Sequence, residues 1–216
     1  MVMYSYVLDI DDGAAPKPYH GYCTLAICKP SIRRIATFGD WIIGTGNSKI
    51  GNNKLIYAMK VTEAMDFKHY FNDNRFQKKI PVFNGRDKYS HLGDNIYEPT
   101  VNGFKQLPSV HSNGNEANLK TKLHDLGKNL ENNRVLISEH FYYFGDKAVE
   151  IPINLLKIIK KWQGHKSDSI SKEDIEEFEK FISQFRIGVH GEPNDKLAIK
   201  DILDITCKKI DKCCED

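Results

Sequence analysis

The stretch that decides the fold reads GDWIIGTGNSKIGNNKLIYAMKVTE and spans residues 39–63. A Gly-Asp turn delivers the chain into an apolar strand that begins at Trp41. A glycine-rich connection follows, and residues 54–62 then place an apolar side chain at every second position. Alternation with a period of two is typical of a half-buried strand. The stretch therefore predicts two strands of one sheet.

Strand patterns dominate on both sides of this stretch up to Gly145, and helical patterns dominate after it. Further strands are predicted at residues 2–10 and 135–145. A helix is predicted to begin at Pro152, another spans 171–186 behind a capping-box-like Ser-Lys-Glu-Asp, and a last one spans 196–210. This order predicts an α+β fold. We expect one domain over residues 1–216, with a β-rich part (1–150) and a helical part (151–216), built on a mixed, strongly curved sheet or partial β-barrel.

Composition excludes several classes of protein. The chain has 216 residues, of which 40% are hydrophobic, and a formal net charge of +2. Such an apolar fraction excludes wholesale disorder. The small net charge excludes a protein that binds nucleic acid through charge alone. No apolar run approaches the ~18 residues of a membrane span.

Cysteine usage and the first residues indicate a cytoplasmic protein. Five cysteines make a poor disulfide framework, and their spacing fits no zinc pattern, so neither a metal nor a cofactor is predicted. Cys23 and Cys28 lie in an apolar run, which favours two buried small side chains. The start, MVMYSYVLDIDD, lacks the basic and apolar segments of a signal peptide.

Positive charge is concentrated in the first half of the chain. Residues 29–90 contain 12 basic and 5 acidic side chains, a local charge of 12 − 5 = +7. An anionic ligand is therefore expected there. Lys29, Arg33 and Arg34 flank the start of a short predicted helix, where they could hold a phosphate or a carboxylate. A solvated basic face without a ligand is the alternative.

Two irregular segments carry polar side chains suited to base recognition. In GDNIY (93–97), Asp94 and Asn95 could pair with the edge of a base or sugar, since an amide offers both a donor and an acceptor. A simple turn that leads into a strand is the alternative. In QLPSVHS (106–112), the candidate ligand-binding and catalytic side chains are Gln106, Ser109, His111 and Ser112.

His111 is the candidate proton carrier, because imidazole titrates near neutrality. With Asp94 it could form an acid–base pair. A nearby serine would complete the ingredients of a hydrolase triad, although no nucleophile elbow is present. A histidine that merely caps a loop is the alternative.

An aromatic strand, HFYYFG, spans residues 140–145. Its successive side chains point to opposite faces, so one face should pack on the core and the other could line a pocket. Aromatic rings stack on bases, and we expect Tyr143 and Trp41 to do so. Burial of the whole strand in the core is the alternative.

Seven motifs together resemble one known family. They are GYCTLAICKPSIRR, GDWIIGTGN, LIYAMKVTEAM, GDNIY, QLPSVHSN, RVLISEHFYYFG and a closing HGEP, and the resemblance extends from about Tyr4 to Pro193. The series resembles the nucleotide modification associated domain family, second type. That resemblance implies an association with bacterial or phage systems that modify or handle bases of nucleic acids.

The order of elements in the first third is also similar to PUA-like domains, which include the EVE and YTH readers of modified bases. A short helix, Gly39-Asp40, the Trp41 strand and the strand that ends at Glu63 match that order. The reader pocket lies near the loop after the first of these strands. The resemblance therefore implies a ligand site at Trp41, Thr45, Gly46 and Asn47.

Three functions follow as hypotheses. The first is a binding module that holds a nucleotide, or an extruded modified base of a nucleic acid, in an aromatic pocket. The second is an enzyme that acts on a nucleotide or base with an Asp94–His111 pair. The third is a partner protein in a modification or defence system, which would use Phe178, Phe181 and Phe185 of the helical part for assembly.

Overall fold

The computed structural model describes residues 1–83, 89–112 and 119–195. The strands are β1 (Met3–Val7), β2 (Cys23–Leu25), β3 (Trp41–Thr45), β4 (Lys54–Lys60), β5 (Glu63–Met65), β6 (Tyr97–Thr100), β7 (Gly103–Gln106), β8 (Val135–Ser138), β9 (His140–Tyr143), β10 (Val149–Glu150) and β11 (Gly188–Val189). The α-helices are α1 (Pro30–Ile35), α2 (Phe67–Asn72), α3 (Leu119–Leu126) and α4 (Lys172–Ile182). Short 3-10 helices span Asn74–Lys79, Ser90–Leu92, Gly145–Lys147 and Ile153–Ile158.

The strands of the described residues form three sheets. The main sheet has six strands in the order β1-β3-β4-β9-β11, with β10 paired to β4. It is mixed, since β1 runs parallel to β3 and β9 runs parallel to β11, whereas β4 is antiparallel to β3, β9 and β10. A second sheet has the order β2-β8-β5, and β6 pairs with β7 in a third. The α+β class and the mixed sheet are confirmed, and the described strands form no closed barrel.

The main sheet is buried on both faces, whereas the alternation in residues 54–62 predicts one buried face. Ile42 and Met59 contribute to a core on one face, and Trp41 and Ile43 contribute to a core on the other. Helix α4 covers the second face, where the Trp41 indole N–H donates to Glu179 over 2.9 Å. Because β3 and β4 are buried on both faces, nearly every residue in these two strands is apolar.

Helix α4 begins where the sequence predicts. The Ser171 hydroxyl accepts from the Asp174 N–H, and the Asp174 carboxylate accepts from the Ser171 N–H, so the capping box is complete. The apolar stripe of α4 faces inward: Phe178 is fully buried, and Phe181 and Phe185 pack against the same core. These three rings therefore do not form an exposed face for a partner protein.

Three predicted elements differ from the structure or lie outside it. The predicted strand 135–145 is divided into β8 and β9, which belong to different sheets. The predicted helix after Pro152 is a 3-10 helix that ends at Ile158, which leaves the Trp162 side chain exposed. The predicted helix 196–210 lies outside the described residues. Among the helices of the described ranges, none combines the length and the apolar character needed to cross a membrane.

Candidate functional site

A cavity of about 440 Å³ lies between the end of β1 and the start of α1. Its volume is within the range of small-molecule sites in proteins. The walls come from residues 8–15 and 27–31 and from two separate histidines. The lining residues are Leu8, Asp9, Ile10, Asp12, Ala14, Ala15, Ile27, Cys28, Lys29, Pro30, Ser31, His111 and His124.

Polar groups contribute to the lining of this cavity. Cys28 is partly exposed at its wall, and the ammonium group of Lys29 lies 4.2 Å from the centre of the Tyr6 ring. His111 and Asp12 also contribute to the lining. Apolar walls with a few convergent polar groups are the usual composition of a ligand site.

Cys28, His111 and Asp125 form a continuous chain of contacts beside the cavity. The Cys28 Sγ lies 3.8 Å from the His111 Nδ1, and the His111 Nε2 lies 2.8 Å from the Asp125 Oδ2. The Asp125 side chain is completely buried, whereas 15% of the His111 side chain remains exposed. The imidazole therefore connects a buried carboxylate to a sulfur atom at the cavity.

The Asp125 carboxylate is held in place from several sides. Its Oδ1 accepts from the Cys28 backbone N–H over 2.8 Å, and its Oδ2 accepts from the Tyr97 hydroxyl over 2.7 Å. The Arg33 guanidinium, also fully buried, lies 3.9 Å from Oδ1 and donates to the Asp125 backbone carbonyl. One carboxylate thus fixes both the backbone of Cys28 and the ring of His111.

Burial and hydrogen bonding alter the protonation of the groups at the cavity. Burial alone lowers the pKa of His111, but its contacts with Asp125 and Cys28 outweigh burial and raise that pKa to about 10. Burial raises the pKa of Asp125, but the hydrogen bond from His111 outweighs it and lowers that pKa. Burial also lowers the pKa of Lys29 and raises that of Asp12. His111 is therefore protonated at neutral pH.

The partner of His111 is Asp125, which corrects the predicted Asp94–His111 pair. Asp94 is buried elsewhere, where its two oxygens accept from the hydroxyl groups of Thr24 (2.6 Å) and Tyr70 (2.7 Å). Both hydrogen bonds join elements around β2 and α2. The structure thus gives Asp94 a position inside the protein and gives His111 a different carboxylate.

The two rings predicted to stack on a base lie on opposite faces of the main sheet. Trp41 is 1% exposed in the core beneath α4, and Tyr143 is 0% exposed in the other core, where its hydroxyl donates to Asp11. β3 and β9 lie on either side of β4 in the main sheet, and Trp41 is in register with His140 through Lys60. Side chains alternate between the two faces along a strand, so Tyr143, three residues after His140, points to the face opposite Trp41. Neither ring lines the cavity.

The other predicted binding residues are also engaged within the protein. The Thr45 hydroxyl donates to the Tyr6 carbonyl, the Gly46 N–H donates to the Lys54 carbonyl, and the Asn47 amide donates to the Asp9 carbonyl. Four further buried side chains take part in hydrogen bonds with neighbouring groups of the protein: Asn95, Gln106, Ser109 and Ser112.

The three predicted basic residues have different positions. Lys29 lines the cavity. Arg33 is fully buried, and its guanidinium donates to the backbone carbonyls of Cys28, Asn132, Arg134 and Asp125. Arg34 is exposed on α1. Of the three, Arg33 therefore has a structural position, in which it links four backbone carbonyl groups inside the protein.

Sequence reasoning missed Cys28 and Asp125. The one local signal for Cys28 is its place directly before Lys29-Pro30, where a helix begins. Cys28 and Lys29 both adopt left-handed backbone conformations (φ 60° and 43°), which are uncommon for residues other than glycine. This bend ends the apolar run and leaves the Cys28 side chain partly exposed, whereas Cys23 is completely buried.

The cluster around His111 is a set of hydrogen-bonded pairs. Within residues 1–83, 89–112 and 119–195, no three His, Cys, Asp or Glu side chains are grouped so that they could hold a metal ion. The chemistry that the arrangement offers is acid–base and nucleophilic, because a thiol, an imidazole and an orienting carboxylate occur in that order.

Comparison with known proteins identifies the family. No curated protein and no solved structure matches the chain. The PUA-like layout therefore stays a prediction. A family model described as nucleotide modification associated domain 2 matches residues 1–200, which confirms the resemblance carried by the seven motifs. The chain belongs to the nucleotide modification associated domain 2 family and is thereby associated with nucleotide modification.

Proposed function

We propose that this protein binds a nucleotide, or the extruded base of a nucleic acid, in the cavity beside Cys28 as part of base modification. The observation that carries the proposal is the cavity itself, whose lining combines apolar side chains with Lys29, His111 and the carboxylates of Asp9 and Asp12. An apolar wall suits the face of a base. The polar groups suit its edges and an attached phosphate.

The charges around the cavity match the parts of a nucleotide. The Lys29 ammonium is a point charge of the kind that binds phosphate, and His111 supplies a second positive charge. The carboxylates of Asp9 and Asp12 can accept from the exocyclic amino group of a base. A site of mixed charge favours a whole nucleotide over a bare anion.

This proposal moves the expected site away from Trp41 and Tyr143. It keeps Lys29 and His111, and it leaves Arg34 as an exposed side chain that could contact phosphate. The second hypothesis, an enzyme that uses His111, gains support from the His111–Asp125 contact. The same cavity would serve both functions, so binding is tested first.

Calorimetric titration of the full chain with nucleoside monophosphates and short single-stranded oligonucleotides tests the proposal. We expect roughly micromolar affinity for at least one of them. Lys29→Met should weaken that affinity by about tenfold or more, because a charge-assisted hydrogen bond to phosphate is lost. Lys68→Met removes an exposed lysine on α2 and should change nothing. Absence of binding to every nucleotide and oligonucleotide would overturn the proposal.

A further inference from the structure

We propose that Cys28 is a nucleophile that adds covalently to a pyrimidine base in the cavity, with His111 as the proton carrier and Asp125 as the positioning residue. The pyrimidine substrate rests on the proposed function. The reactivity of Cys28 rests on the contacts of this chain alone.

The first support is the order of the groups. A nucleophile, a base within reach of it and a third group that orients the base form the common arrangement of covalent catalysis. Here the Cys28 Sγ faces the His111 Nδ1 over 3.8 Å, and the Asp125 Oδ2 holds the His111 Nε2 over 2.8 Å. The ring nitrogen nearest the sulfur is thus the one free to exchange a proton with it.

The second support is the way the protein positions these groups. The Asp125 carboxylate also accepts from the Cys28 N–H, so the sulfur and the imidazole are fixed by the same side chain. Two consecutive left-handed residues, Cys28 and Lys29, form the bend beside the cavity. Such conformations cost free energy and persist where the surroundings enforce them.

The third support is the contrast with Cys23, five residues earlier. Cys23 is completely buried, and its Sγ lies 3.9 Å from the Met59 sulfur. Burial raises the pKa of the Cys23 thiol to about 12, so it is inert at neutral pH. Cys28, by contrast, faces both a cavity and a protonated imidazole, which is the environment of reactive cysteines.

Pyrimidines are the bases that suit this nucleophile, since their C5=C6 double bond is conjugated to a ring carbonyl or amidine. In its thiolate form, Cys28 forms an S–C6 bond while His111 carries a proton on Nδ1. The π electron pair moves to C5, where it takes a proton from His111 Nδ1. In reverse, neutral His111 removes a proton from C5, the S–C6 bond breaks and the double bond returns. No oxidant or reductant is needed.

Reversible addition has a measurable consequence, which is exchange of the C5 hydrogen with solvent. Because His111 exchanges its own proton with water, the hydrogen returned to C5 is not always the one removed. In deuterium oxide, the C5–H signal of a bound pyrimidine should therefore decline. Free dCMP and dUMP, and a single-stranded oligonucleotide that contains both bases, distinguish a nucleotide substrate from a nucleic-acid substrate.

Proton NMR of these substrates with the full chain in deuterium oxide is the test. We expect loss of the C5–H signal with wild type and at least a 100-fold slower loss with Cys28→Ser and Cys28→Ala. Cys23→Ala, which changes a cysteine away from the site, should exchange at the wild-type rate. Exchange that persists in both Cys28 variants, or no exchange with wild type, would overturn the proposal.

Alkylation by iodoacetamide separates this inference from the proposed function, because it needs no nucleotide. We expect Cys28 to be alkylated at pH 6 on the order of tenfold faster in wild type than in His111→Gln, with the modified residue identified by fragment-ion mass spectrometry. If a nucleotide binds but its C5 hydrogen does not exchange and the alkylation rates do not differ, the proposed role of Cys28 is overturned and the proposed function stands. The rate difference without any nucleotide binding overturns the proposed function and the pyrimidine substrate together.

Discussion

The Asp125 carboxylate accepts hydrogen bonds from the Cys28 N–H, the Tyr97 hydroxyl and the His111 imidazole. A buried carboxylate with three donors is stabilised in its charged form, which in turn favours the charged form of His111. The protonation of His111 is therefore a property of this pair. The charged and titratable groups that interact electrostatically with the His111–Asp125 pair include Cys28, Asp12 and Arg33.

At the residue scale, this pair predicts how stability depends on pH. Folding raises the pKa of His111 from about 6.5 in an unfolded chain to about 10. The resulting stabilisation is complete below about pH 6.5 and is lost as the pH rises toward 10. Between these values, we expect the free energy of unfolding of wild type to fall relative to His111→Gln, by up to ~1.4 kcal/mol per pH unit.

Chemical denaturation of both proteins at several pH values between 6 and 10 measures this difference. Val101→Ala is the control, since the Val101 side chain is uncharged and exposed and its substitution should leave the pH dependence of wild type unchanged. If the unfolding free energies of wild type and His111→Gln ran parallel across the whole window, His111 would not be protonated as proposed.

At the scale of elements, Arg33 connects α1 to α3 and to the chain that follows α3. The Arg33 guanidinium donates to carbonyl groups at Cys28, Asp125, Asn132 and Arg134, and its side chain is fully buried. Helix α1 has only six residues and would be marginal by itself. This connection therefore holds the helix, the Cys28 bend and Asp125 in one arrangement.

Loss of this connection should destabilise the protein strongly. Arg33→Met removes every donor at once and leaves Asp125 buried with less compensating charge, so we expect a loss of roughly 3–5 kcal/mol in the free energy of unfolding. Arg34→Met, one residue further on an exposed face, should change it by less than about 0.5 kcal/mol. Urea denaturation measures both, and a loss below about 1 kcal/mol for Arg33→Met would contradict the role of this connection.

Elements with local signals could be predicted from the sequence. The Ser171 capping box of α4 is set within four residues, and it occurs as predicted. The division of 135–145 could not be predicted, because it depends on partners far along the chain: β8 pairs with β2 and β5, while β9 pairs with β4 and β11. The residues next to a strand in the sequence do not indicate which distant strand it pairs with.

At the scale of the whole molecule, the site is assembled from distant segments. Cys28 meets His111 across 83 positions of sequence and Asp125 across 97. Reasoning from local motifs singled out Lys29 and His111 by residue type, but it paired His111 with Asp94. Asp94 and Asn95 are polar because they hold the interior together, and from sequence alone that role resembles a binding role.

The central claim, that a nucleotide occupies the cavity against Cys28, is tested most directly by protection of that cysteine. The measurement is the rate of Cys28 alkylation by iodoacetamide at increasing concentrations of dCMP or dUMP. At ten times the dissociation constant, we expect alkylation to slow by about tenfold, because only the unoccupied fraction reacts. An unchanged rate at a nucleotide concentration that calorimetry shows to be saturating would contradict the claim.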